Sequence, residues 1–116
     1  MAKTQVELLQ GTLDLLILKT LSLGARHGAS VARWLEQVTD GGLVVEEGSL
    51  YPALHRLEDK AWVSSEWGVS ENNRKVRYYA LTPVGREQLL VQMEELRRLM
   101  RLLTRVLVQS PASAPR

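Results

Sequence analysis

The sequence predicts a mainly α-helical chain with one small β-hairpin, closed by a long C-terminal helix. Three observations predict it. Aliphatic residues recur at helical spacing in four separate stretches of the 116 residues. Two β-rich runs, 62–67 and 75–81, are joined by a polar segment rich in turn formers. Thr82-Pro83 then opens a run to Val108 with apolar positions spaced alternately by four and three.

Each element has its own local reason. Thr4 and Glu7 have capping-box spacing, which predicts a short helical turn there. Gly11-Thr12 interrupts, and Thr12 is expected to cap the next helix. In that helix Leu13, Ile17 and Leu21, with Leu16 and Leu18, make a wide apolar face. Leu23-Gly24 ends it. His27-Gly28 reads as a turn before a helix over 29–39, with Val31, Leu35 and Val38 on one side. Asp40-Gly41-Gly42 stops that helix. Leu43-Val44-Val45 reads as a minimal strand or an extended linker.

The following helix starts near Glu47 or Gly48 and runs to Lys60, with Leu50, Leu54 and Leu57 as its inner stripe. Pro52 fits only in the first turn, where its missing N–H is not needed. The hairpin has its tip over 68–74. Thr82 is an N-cap and Pro83 an N1 residue, so the last helix covers 83–108, roughly 39 Å of rise. Residues 109–116, rich in Ser, Pro and Ala, read as a disordered tail.

Composition narrows the function classes. There is no Cys, which excludes disulfides and thiolate metal sites and suits a reducing, cytoplasmic setting. No apolar run approaches the roughly 20 residues of a membrane span, and no signal peptide is expected. The formal net charge is only +2. Residues 1–82 hold nine basic and ten acidic residues, and residues 83–116 hold six Arg and three Glu. Any nucleic-acid footprint must therefore be a local arrangement. His27 and His55 are the only histidines, with no third ligand at metal spacing, and no phosphate loop or nucleophile elbow is present. Neither an enzyme nor a metal or other cofactor is expected.

Three short helices, a hairpin and a long helix follow the winged helix-turn-helix plan, in which the third helix enters the major groove and the hairpin flanks it. The domains then read as 1–82 for the winged unit and 83–108 for a dimerisation helix. The same plan also serves protein docking, so an interaction module is the alternative from a different class.

Four segments add a resemblance. They are GTLDLLIL from Gly11, EEGSLYPALHRLE from Glu46, SENNR from Ser70 and YYALTPVGR from Tyr78. Together the matches run from Leu9 to Arg86, and the chain resembles PadR-like regulators. The resemblance implies a homodimeric repressor whose last helix makes the dimer, with some members answering to phenolic or drug-like molecules. The family usually has an aromatic after the His-Gly turn, where this chain has Ala29. Some drug-binding members use a Trp on the last helix as a stacking plate, and this last helix has no aromatic. A small-molecule effector between subunits remains an alternative reading.

The candidate site residues follow from the same elements. With the leucines of the third helix turned inward, Ser49, Pro52, His55 and Arg56 face outward or flank it, with Tyr51 at the edge. Hydroxyls and the free N–H groups of a helix N-terminus suit phosphate, and Arg56 suits a guanine edge or a phosphate. The opposing reading is an ordinary solvated face, and Glu46 and Glu47 would repel phosphate. On the hairpin, Arg74, Lys75 and Arg77 put three cations in four residues. Alternation places Lys75 and Arg77 on one face, suited to double-stranded DNA or, more plainly, to keeping an edge strand soluble. Trp34, Trp62 and Trp67 are expected in core or interface packing. Leu89, Met93, Leu96, Met100, Leu103 and Leu107 form the seam of the last helix, shared between a partner chain and the chain's own first helix.

Overall fold

The computed structural model describes residues 10–112, so the turn expected around Thr4 and Glu7 lies outside the described residues. The elements are α1 (Gln10–Ser22), β1 (Arg26–His27), α2 (Gly28–Val38), α3 (Glu47–Asp59), β2 (Val63–Val69), β3 (Lys75–Leu81) and α4 (Pro83–Leu107).

Helix α1 is the centre of the molecule. Leu13, Leu15, Ile17, Leu18 and Leu21 are all buried, together with Asp14 and Thr20. A helix apolar on more than one face needs neighbours on more than one side. α2, α3, α4 and β3 supply them. The break expected at Gly11-Thr12 does not occur, because α1 runs through both residues and Thr12 is not its cap. Thr20, buried, donates its hydroxyl to the Leu16 carbonyl at 2.8 Å.

Strand β1 was not expected. Arg26 and His27 pair with Tyr79 and Tyr78, which makes the sheet three-stranded in the order β1-β3-β2. His27 then caps α2, its Nδ1 accepting from the Ser30 amide at 3.3 Å. Val31 and Leu35 are buried as expected, but Val38 is 60% exposed, because the helix ends as the chain leaves the core. Thr39 stops α2: its hydroxyl donates to the Leu35 carbonyl and accepts from the Leu43 amide. Residues 43–45 form the linker rather than a strand.

Helix α3 buries Leu50, Ala53, Leu54 and Leu57. Pro52 stands in its second turn, not its first. The carbonyl left without a donor belongs to Gly48, which is exposed, so water can satisfy it. The helix ends with Ala61 at φ +62°, while the Trp62 amide donates to the Leu57 carbonyl at 3.0 Å. β2 and β3 pair from Val63↔Leu81 to Val69↔Lys75. The tip closes with the Ser70 amide on the Arg74 carbonyl and Asn73 at φ +58°, a conformation Asn tolerates.

The start of α4 is tied to the α3–β2 turn. The Thr82 hydroxyl donates to the Ala61 carbonyl at 2.7 Å and accepts from the Gly85 amide at 3.0 Å. Gly85 is required here, since a Cβ would lie 2.0 Å from the Trp62 carbonyl oxygen. Leu89 is buried, and Met93 and Leu96 pack on the same core. Beyond them α4 leaves the body of the chain: Met100, Leu103 and Leu107 are 51%, 49% and 80% exposed. Residues 109–112 carry neither helix nor strand.

Candidate nucleic-acid interface

The outward residues of α3 divide into two groups. Ser49, Pro52 and His55 are exposed and open to solvent. Tyr51 and Arg56 are engaged within the chain. The Tyr51 ring lies against Gly28 at the first turn of α2, where an added Cβ would meet its Cε1 at 2.8 Å. The small residue allows the ring to settle between two helices while 37% of Tyr51 stays exposed. Arg56 places Nη2 2.9 Å from Oδ1 of Asp14 on α1, so its guanidinium is spent on an ion pair that sequence reasoning did not assign. The cap of α3, Glu46, makes no side-chain bond to the helix start.

The hairpin brings its cations to the same side. Lys75, Arg77 and Tyr79 share one face of β3, and Tyr79 is 2% exposed while the two cations are exposed. The face that packs in the core therefore continues outward as a basic surface. Arg77 donates from Nε to the Ser65 hydroxyl at 2.9 Å, and Ser65 donates to Glu58 on α3. This chain of contacts fixes the root of the hairpin relative to α3. Burial, reinforced by Glu58 and opposed by Arg77, with Tyr51 adding the least, raises the Tyr79 phenol above its ordinary range.

Between these elements lies an open cleft of about 390 Å³, lined among others by Tyr51, Arg33, Arg74, Lys75 and Arg77. Its acidic member is Glu71 at the hairpin tip, 3.9 Å from His27 Nε2. Four Lys or Arg side chains thus converge on one concave surface of a chain with little net charge.

Trp67 also lines this cleft. Of the expected core or interface packing, the core is excluded for Trp67, which is 59% exposed within the single chain. Lys75 Nζ lies 4.9 Å and Arg77 Cζ 5.2 Å from its ring. Trp34 and Trp62 do pack against the core, each beside a cation of its own. Sequence reasoning missed Trp67, Arg33 and Asp14. The signal for Trp67 was the strand alternation across from Arg77; Arg33 and Asp14 carried no sequence signal of their roles.

Residues 17–90 match the family described as the transcriptional regulator PadR-like family. The chain belongs to the PadR-like family. A transcriptional regulator of Mycobacterium tuberculosis, Rv3488, is 40% identical over 76 residues, which is 65% of this chain and 66% of that protein. A PadR-like transcriptional regulator from Bacillus cereus is 26% identical over 87% of this chain and 96% of its own, with a TM-score of 0.75. A transcriptional regulator from Clostridium thermocellum is 29% identical over 86% of this chain and 96% of its own, with a TM-score of 0.76. The PadR-like family is one of transcriptional regulators, not of enzymes. The winged helix followed by a long C-terminal helix agrees with these solved structures. Among the described residues no helix is long and apolar enough to cross a membrane.

Proposed function

We propose that this PadR-like regulator binds double-stranded DNA in a sequence-specific manner and represses transcription as a homodimer on an inverted-repeat operator. The observation that carries the reading is the shared cleft: Lys75 and Arg77 of the hairpin and Arg33 of α2 line one concave surface with Tyr51 of α3. In this reading α3 enters the major groove and presents Ser49, Pro52 and His55, with the Tyr51 hydroxyl at the groove edge. Arg74, Lys75 and Arg77 neutralise backbone phosphates beside it. Arg56 acts on DNA through Asp14, by holding α3 at its angle, rather than by reading a base.

The dimer reading is supported by the outer half of α4. Leu99, Met100, Leu102, Leu103 and Leu107 are all at least 45% exposed, more contiguous apolar surface than a helix ordinarily leaves to water. A second copy of the chain covers it. Residues 83–108 then serve as the dimerisation helix and 1–82 as the reading domain.

The test is a gel-shift and footprint on the upstream region of the protein's own gene, with unrelated DNA of equal length as competitor. A protected inverted repeat that resists the competitor is expected. Equal affinity for both DNAs, or binding of neither, would overturn sequence-specific repression.

A further inference from the structure

Trp67 is an exposed indole, with the cations of Lys75 and Arg77 set beside its ring. On β2, Val63, Ser65 and Trp67 alternate onto one face. Val63 is in the core, and Ser65 reaches Glu58 of α3. Trp67, two residues further out, continues that face past the end of the protein interior and is 59% exposed. Its register partner across the ribbon is Arg77, and Lys75 sits diagonally beyond.

We propose that Trp67 is a DNA-contacting residue of the hairpin, its indole packed on the deoxyribose face of the duplex backbone while Lys75 and Arg77 take the flanking phosphates. The inference rests on the DNA-binding reading of the same cleft. Three features support it. The indole lies amid cations, in surroundings that attract a polyanion and repel a basic partner. It lines the cleft together with Tyr51 of α3, so a duplex seated on α3 meets it. It is also held ready. On the opposite face the Tyr78 ring occupies the space a Cβ at Gly68 would fill, 2.7 Å away, and the Tyr78 hydroxyl donates to the Val69 carbonyl at 3.0 Å. That clasp stiffens the ribbon on either side of Trp67, so little ordering entropy is lost when DNA arrives. In an intact duplex the base faces are stacked on one another. An indole at the groove wall therefore meets sugar C–H groups, which adds affinity without sequence preference.

The experiment compares wild type, W67F and W67A on the upstream duplex and on random duplexes. Acrylamide quenching of wild type against W67F isolates the Trp67 emission, and an exposed residue can be replaced without opening the core. DNA is expected to shield Trp67 from acrylamide. W67A is expected to bind every duplex about tenfold more weakly, from the apolar area the indole buries on the sugars, with an unchanged dependence on salt because the cations remain. Trp67 equally accessible with DNA bound, or W67A binding as tightly as wild type, overturns the inference alone. So does a flattened salt dependence in W67A, which would make the indole a mere prop for Lys75 and Arg77. Shielding that appears on self-association without DNA also overturns it. If wild type binds no duplex at all, the DNA-binding reading falls first and this inference with it.

Discussion

Arg56 of α3 and Asp14 of α1 meet at 2.9 Å, with the Asp14 side chain only 8% exposed. The pair joins the helix that carries the outward residues to the helix on which α4 packs. Arg56 Nε is buried and has no hydrogen-bond partner among the described residues. The guanidinium is thus held mainly through the Asp14 carboxylate, and removing that carboxylate strands a charge.

Asp14→Ala is expected to destabilise the fold by about 2–3 kcal/mol, somewhat less than for a fully buried pair because Arg56 keeps partial access to water. Asp14→Leu combined with Arg56→Met is expected to recover most of that loss, since no charge is then left unpaired. Urea denaturation of Asp14→Ala, of the double variant and of its component singles Asp14→Leu and Arg56→Met measures both. A double variant as unstable as the sum of the singles would show that packing, not charge, sets the cost.

Arg74→Ala with Lys75→Ala is expected to weaken binding to all DNA sequences alike. The slope of log affinity against log salt should flatten by about 1 to 2, one phosphate contact per cation. Binding isotherms over a range of salt concentrations give the slope. An unchanged slope would place these cations away from phosphate.

How far the sequence carried this far depends on the kind of signal each residue sends. The inner stripes Val31 and Leu35, then Leu50, Leu54 and Leu57, were legible because helical spacing is a local pattern. Thr82-Pro83 was legible because capping chemistry is also local. β1 was not, since two residues have no periodicity and Arg26 and His27 become a strand only through Tyr79 and Tyr78. Gly11 looked like a break because its cost in a helix is local, while the tertiary packing of α1 that outweighs it is not. In the site, the Lys75 and Arg77 face followed from alternation. The partner of Arg56 lies 42 residues away in sequence, beyond any local pattern.

Tyr79 gives the fold an alkaline limit. Burial raises its phenol above the ordinary value of 10.0, so the folded chain holds the proton more tightly than the unfolded chain does. Below pH 10 both states are protonated and the contribution is fully present. As the pH rises towards and through the raised value, the unfolded state ionises first and the contribution is lost. Tyr79→Phe is expected to remove this part of the alkaline decline. Denaturation midpoints of both proteins on either side of pH 10 test it. A parallel decline in the two proteins would exclude Tyr79 as its source.

The seam of α4 divides at Leu96, and the division makes the proposed dimer separable from the fold. Leu89 is 4% exposed, and Met93 and Leu96 pack against the chain's own core, so a charge placed there damages the monomer itself. Met100 and Leu103 are about half exposed and lie outside that core. Met100→Glu with Leu103→Glu is therefore expected to leave helix content and urea stability of the monomer unchanged while setting like charges where two apolar faces meet. In sedimentation wild type is expected to run as a dimer at micromolar concentration and the variant as a monomer. A two-fold dimer presents two copies of α3, with half-site centres about 34 Å apart, or a multiple of that. The monomeric variant can occupy only one half-site at a time, so its footprint should lose two-fold symmetry and most of its affinity. Met93→Glu serves as the contrast, since it should lower stability as well as binding. A wild type that sediments as a monomer at micromolar concentration, or a doubly substituted protein that remains a dimer, would remove α4 as the dimerisation helix.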